Sequence, residues 1–133
     1  NVTVGTPEGY DVNPAAIEIA KAIAMKTGSK LNFVRDVHEA VKGAHVIYTD
    51  TWTSMGQEEE TAKREAIFPP YQVNAQLVSE ADKDVIVMHC LPAHRNHELT
   101  DEVADGEHSV IFQQAHNRLH AQKAILARLF EVA

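Results

Sequence analysis

Short β-branched apolar runs alternate along this chain with longer stretches patterned for helix, and that alternation admits few folds. Val2-Thr3-Val4, Leu31 to Val34, Val46-Ile47-Tyr48, Val85-Ile86-Val87-Met88 and Val110-Ile111-Phe112 read as strands. The first helix is predicted from an Asn13 N-cap with Pro14 at its first position. Ile17, Ile19, Ala20, Ile23 and Ala24 give it an apolar face, and it ends near Thr27-Gly28. Asp36 caps a short helix through Val41 that Gly43 stops, and Glu58 to Ile67 is helix-prone up to Pro69-Pro70. Asn74 caps another through Leu77 and Val78, Thr100 to Ala104 is a short helix, and a last helix runs from about Ala115 to Phe130. Strands separated by helices predict βαβ units and one parallel sheet covered on both sides. Val85 to Met88 is the most continuous run, as a strand buried on both faces requires.

Composition sets the outer limits. At 133 residues, 44% hydrophobic and 23% charged, the chain suits one folded domain rather than a disordered or collagen-like segment. Twelve basic against 19 acidic residues give a net charge of −7, the wrong sign for general nucleic-acid binding or for docking on anionic membranes. No apolar run approaches the roughly 20 residues that span a bilayer. Cys90 is the only cysteine, which excludes an intrachain disulfide and fits a reducing compartment. The start at Asn1-Val2-Thr3-Val4 carries no initiator Met or signal core, and a strand-first start is expected of a piece cut near a domain boundary.

In open parallel α/β folds, ligands bind beyond the carboxyl ends of the strands. Two unusual segments fall there: Asp50 to Gly56 after the third strand and His89 to Arg95 after the fourth. In Asp50-Thr51-Trp52-Thr53-Ser54-Met55-Gly56 a carboxylate can hold an ammonium group, and hydroxyls with free N–H groups can hold a carboxylate. That combination suits the head of an α-amino acid; it also suits an ordinary βα loop in which Asp50 or Ser54 caps the next helix. In His89-Cys90-Leu91-Pro92 the thiol reads as a nucleophile, a metal ligand, a polar contact or a small buried hydrophobe. Pro92 fixes the backbone there and admits a cis peptide.

Other motifs are less directive. Arg118, placed in the first turn of the last helix, opposes the helix dipole unless an anion compensates, so it reads as an oxyanion site or as a surface arginine. His89, His94 and His97 cluster, and His116 and His120 are four apart on a helix, but no third ligand stands at a recognised spacing and no metal is predicted. The first βα turn, Gly5-Thr6-Pro7-Glu8-Gly9, lacks the dinucleotide glycine pattern. Glu58-Glu59-Glu60 reads as a solvated helix start.

Ser54-Met55-Gly56, His89-Cys90-Leu91-Pro92 and Asn117-Arg118, in that order, resemble the ornithine carbamoyltransferases, and the likeness runs from Val2 through the last helix. It implies a Rossmann-like three-layer α/β/α domain with a parallel sheet, residues 1–133 being the second, ornithine-binding domain. It further implies that Asp50, Ser54 and Met55 hold the amino-acid head of ornithine and that Asp50 organises Cys90. The Cys90 thiol and Leu91 carbonyl would face the reacting amine and carbamoyl group, and Arg118 would contact carbamoyl phosphate. His89 and Glu98 would support Asp50 and Cys90 in a polar relay. Neither metal nor organic cofactor is implied, and no acyl-cysteine.

Two departures qualify the resemblance. His116 stands where the family commonly has an acidic residue before Asn-Arg. The family's Ser-Thr-Arg-Thr and His-Pro-x-Gln motifs, which belong to its N-terminal carbamoyl phosphate-binding domain, are absent. The isolated chain is therefore expected to be inactive. The resemblance implies a homotrimer, in the cytoplasm, or in the mitochondrial matrix where a targeting peptide precedes Asn1. A carbamoyltransferase for another amine and a non-catalytic amino-acid-binding domain are the alternative readings.

Overall fold

The computed structural model describes residues 1–54 and 56–130. Strand β1 is Val2–Gly5, β2 Leu31–Val34, β3 Val46–Thr49 and β4 Ile86–His89. Helix α1 is Pro14–Thr27, α2 Val37–Val41, α3 Thr61–Ile67, α4 Ala75–Ser79, α5 Asp101–Ala104 and α6 Ile111–Leu129. Every strand pairing is parallel, β1 with β2 and β3 with β4, so the α/β class stands. Among the described residues no helix is long and apolar enough to cross a membrane.

Local chemistry accounts for the helix starts. Asn13 Oδ1 accepts from the Ala15 N–H at 2.9 Å, Asp36 Oδ1 from His38 at 2.8 Å and Asn74 Oδ1 from Leu77 at 2.9 Å. Each satisfies one of the orphan donors of a first helical turn. Gly28 (φ 70°) ends α1 in the left-handed region, as a C-terminal glycine does.

The sheet departs from expectation in three ways. It is two pairs rather than one sheet: β1 and β3 do not pair, and a groove lined by Thr3, Gly5, Val46 and Tyr48 lies between them. The expected fifth strand shrinks to one parallel bridge, Val87 with Ser109, framed by Val87 N–H to His108 O (2.8 Å) and Val110 N–H to Val87 O (3.0 Å). Ile111 and Phe112 belong to α6, which begins four residues earlier than Ala115. A short apolar run does not distinguish strand from buried helix start, and here burial of Ile111 in the core decides it. Lastly, β4 is not buried on both faces. Val87 and His89 are fully buried, but Ile86 is 36% exposed, because side chains alternate and only one face meets the core.

The core gathers Val41, Ile47, Leu77, Val87, Leu99, Val103 and Ile111 around β3, β4, α4 and α5. Helix α1 contributes no buried residue, and its Ile19 and Ile23 stay exposed. The well-packed half of the molecule is thus the half that carries the two unusual loops.

Candidate functional site

The β3–β4 register pairs Thr49 with His89, which sets Asp50 and Cys90 side by side just past the strand ends. The Cys90 Sγ–H donates to Asp50 Oδ1 at 3.0 Å, and the same oxygen accepts the Thr51 N–H at 2.7 Å. The hydrogen bond to Asp50 is the largest influence on the half-buried thiol, followed by desolvation and the carboxylate's charge; all three push its pKa up. Cys90 therefore keeps its proton through neutral pH, which suits a polar contact and not a thiolate nucleophile.

His89 and Glu98 form a second pair, both fully buried. His89 Nδ1 accepts the Leu91 N–H at 2.8 Å. Its proton must then sit on Nε2, which donates to Glu98 Oε1 at 3.0 Å. Glu98 Oε1 also accepts the His94 N–H at 2.7 Å. This arrangement pins both ends of the 90–94 loop. It holds Leu91 at φ 56°, a left-handed conformation that a residue with a β-carbon adopts only when its surroundings impose it. The Leu91–Pro92 bond is cis, as the sequence admits.

The four polar groups form two pairs with Tyr48 and Gln114 between them: the Tyr48 hydroxyl bonds Cys90 and accepts from Gln114 Nε2 at 3.5 Å, and Gln114 Oε1 accepts the His89 N–H. Among the described residues no direct hydrogen bond links the Asp50–Cys90 pair to the His89–Glu98 pair. Ligand-capable atoms of Asp50, His89 and Cys90 do lie within 4.8 Å of one another, a set from two strands that linear spacing could not reveal. Both His89 nitrogens are already engaged, so the trio suits hydrogen bonding better than metal ligation.

The remaining expected site residues sit apart. Ser54 is exposed, and its carbonyl accepts the Gln57 N–H at 3.1 Å. Neither Asp50 nor Ser54 caps α3; that N-cap position is Glu60, without a side-chain bond. Met55 lies outside the described residues. Arg118 is not in the first turn of its helix: with α6 starting at Ile111 it is the eighth residue, exposed, so the helix-terminus argument for an anion no longer applies to it.

Three residues that shape the site escape a motif search. Arg64 Nη1 donates to the Trp52 carbonyl at 2.7 Å while its Nη2 meets Glu60 Oε2 at 2.8 Å, tying the loop after β3 to α3. Gln114 Oε1 accepts the His89 N–H at 3.1 Å, tying α6 to the end of β4. Arg95 clamps the loop after β4 onto α5, with Nη1 2.7 Å from Asp101 and Nη1 and Nη2 at 2.6 and 2.9 Å from the two carboxylate oxygens of Asp105. In the sequence Gln114 stands just before the expected helix start at Ala115, and with α6 beginning at Ile111 it lies inside the helix.

Residues 1–129 match the family model described as aspartate/ornithine carbamoyltransferase, Asp/Orn binding domain. The chain is 57% identical over 128 residues to an ornithine carbamoyltransferase of Archaeoglobus fulgidus, covering 96% of this chain and 40% of that one. In structure it resembles the ornithine carbamoyltransferase of Pyrococcus furiosus, with a TM-score of 0.88 at 52% identity over 96% of this chain and 41% of that one. It also resembles the anabolic ornithine carbamoyltransferase of Campylobacter jejuni, with a TM-score of 0.90 at 36% identity over 99% and 44%. The chain thus spans about two fifths of the length of the relatives it matches.

Proposed function

The chain belongs to the aspartate/ornithine carbamoyltransferase family through that family's Asp/Orn-binding domain, and from this we propose that it forms the ornithine side of an ornithine carbamoyltransferase site. The δ-amine of ornithine, in its neutral form, attacks the carbamoyl carbon of carbamoyl phosphate. A C–N bond forms, the amine sheds a proton, and the tetrahedral intermediate collapses by C–O cleavage to citrulline and phosphate. Catalysis of this kind is mainly proximity and oxyanion stabilisation, with no cofactor in the scheme.

The observation that carries the reading is the Cys90 thiol held 3.0 Å from Asp50 at the ends of two adjacent parallel strands. Asp50, with Ser54 and Met55 of the same loop, takes the amino-acid head. The Cys90 S–H and the Leu91 carbonyl face the reacting centre. His89 and Glu98 position that backbone, and Arg118 reaches carbamoyl phosphate once a carbamoyl phosphate-binding domain closes over this one. The proposed assembly is the homotrimer of the full-length enzyme, in the cytoplasm or, behind a targeting peptide, in the mitochondrial matrix.

The test pairs this chain with the N-terminal carbamoyl phosphate-binding half of a relative and assays citrulline. Activity is expected from the pair and not from either half. In that pair, Cys90→Ala lowers turnover with ornithine by about a hundredfold, the scale of misplacing a reacting group, and Arg118→Ala raises KM for carbamoyl phosphate. Kinetics unchanged by Cys90→Ala would sink the assignment. Another amine being the better acceptor would move the chain to a sibling carbamoyltransferase. Ornithine binding by calorimetry without any activity in the pair would mark an amino-acid-binding domain.

A further inference from the structure

His116 and His120 stand one turn apart on α6, both exposed, with their Nε2 atoms 3.0 Å from each other and their ring centroids at 4.8 Å. The helix itself enforces this, since residues four apart share a face. Two imidazole nitrogens directed at one another are satisfied either by one shared proton or by one shared metal ion. We propose that the pair is a chelating site for a nitrogen-preferring divalent transition-metal ion, Ni(II) or Cu(II), with water in the remaining positions.

The distance argues for that class. Imidazole binds first-row metals at about 2.0–2.1 Å, so nitrogens 3.0 Å apart subtend roughly 90–95° at the ion. That is the angle between neighbouring ligands of a tetragonal or octahedral centre. The ligand set argues the same way. No Asp or Glu occurs anywhere in α6, so the helix offers no carboxylate, the anionic oxygen ligand on which calcium and magnesium sites are built. It is also separate from the Asp50–His89–Cys90 trio, whose histidine has both nitrogens engaged. Arg118, two positions from His116, projects from the opposite side of the helix and does not enter the site.

The experiment titrates nickel(II) into this chain by calorimetry, in a non-chelating buffer above the imidazole range, on a Cys90→Ser background that removes the only thiol. One ion per chain is expected. His116→Ala and His120→Ala should each weaken binding by about tenfold or more, because each halves the chelate, while His45→Ala, at a separate exposed histidine, leaves it unchanged. The copper(II) form should show two coordinated nitrogens by electron paramagnetic resonance. Circular dichroism verifies that α6 survives each substitution, and the glutamine variants serve if an alanine disturbs it. Equal nickel affinity in parent and both histidine variants, or equal affinity for magnesium, overturns the site.

Discussion

Asp50 and Cys90 each stand one residue beyond Thr49 and His89, the last partners of the β3–β4 ladder, and the thiol donates to the carboxylate across 3.0 Å. The contact is carried by strand register, and only secondarily by loop conformation. A slip of one residue would turn one of the two side chains to the other face.

That relationship makes Asp50 the principal reason why the Cys90 thiol titrates above its ordinary value. In Asp50→Asn the alkylation midpoint of Cys90 should therefore move down toward that of an ordinary thiol. The rate with iodoacetamide at about pH 8 should rise several-fold, since the thiolate is the reacting form. Mass spectrometry across a pH series reads both. A midpoint that stays put would remove the carboxylate as the cause and leave desolvation in its place.

Glu98 Oε1 accepts from His89 Nε2 and from the His94 N–H, so its removal strands two donors. At about 1–3 kcal/mol for each donor left without a partner, Glu98→Ala should cost about 2–4 kcal/mol, one of the two donors being only partly buried. Glu98→Gln keeps an oxygen acceptor and should cost distinctly less. Urea denaturation of the two variants compares them directly. Equal midpoints would mean that packing, and not these bonds, accounts for the buried glutamate.

The Arg95 clamp has a pH signature. Its hydrogen bonds hold the Asp101 and Asp105 carboxyls below the usual carboxylate range. A depressed carboxylate pKa gives stability that is present above the unfolded value and lost as pH falls through the folded one. The loop should thus stay latched to α5 into acid where free carboxylates have begun to protonate. Arg95→Ala should return both titration midpoints, followed by NMR, toward the ordinary value. Midpoints that do not move would assign the shift to another neighbour.

Elements marked by side-chain chemistry were readable in the sequence. Asn13, Asp36 and Asn74 announce helix starts because their short acceptors bond the first turn, and each does so in the fold. The two site loops were also readable, because parallel topology puts strand ends at one edge. The start of α6 was not, since Val110-Ile111-Phe112 has strand-like composition and only the burial of Ile111 assigns it to a helix. The start at Ile111 in place of Ala115 moves Arg118 four positions further along the helix and brings Gln114 into it. The split of the polar groups into two pairs was equally out of reach. It depends on which nitrogen of His89 the Leu91 N–H finds, a matter of three-dimensional distance and not of spacing.

Gly106 closes the turn after α5 and leads to the segment that bridges β4 at Ser109. A β-carbon added there would lie 2.6 Å from the Glu102 carbonyl oxygen and 3.5 Å from that of Val103, both backbone atoms with no side-chain freedom to retreat. Gly106→Ala should therefore push the turn away from α5, weaken the Val87–Ser109 bridge and cost about 1–3 kcal/mol, the usual scale of overpacking. Gly43 supplies the control. It sits at φ 68° in open space, so Gly43→Ala meets no atom and should cost only the left-handed penalty of about 1–2 kcal/mol. The two differ in where the damage appears. Hydrogen exchange at the Val110 N–H, which bonds Val87 O at 3.0 Å, should accelerate in Gly106→Ala beyond what its global stability predicts, and not in Gly43→Ala. Protection at Val110 that merely tracks global stability in both variants would show that the turn yields elsewhere and that α6 docks on β4 without it.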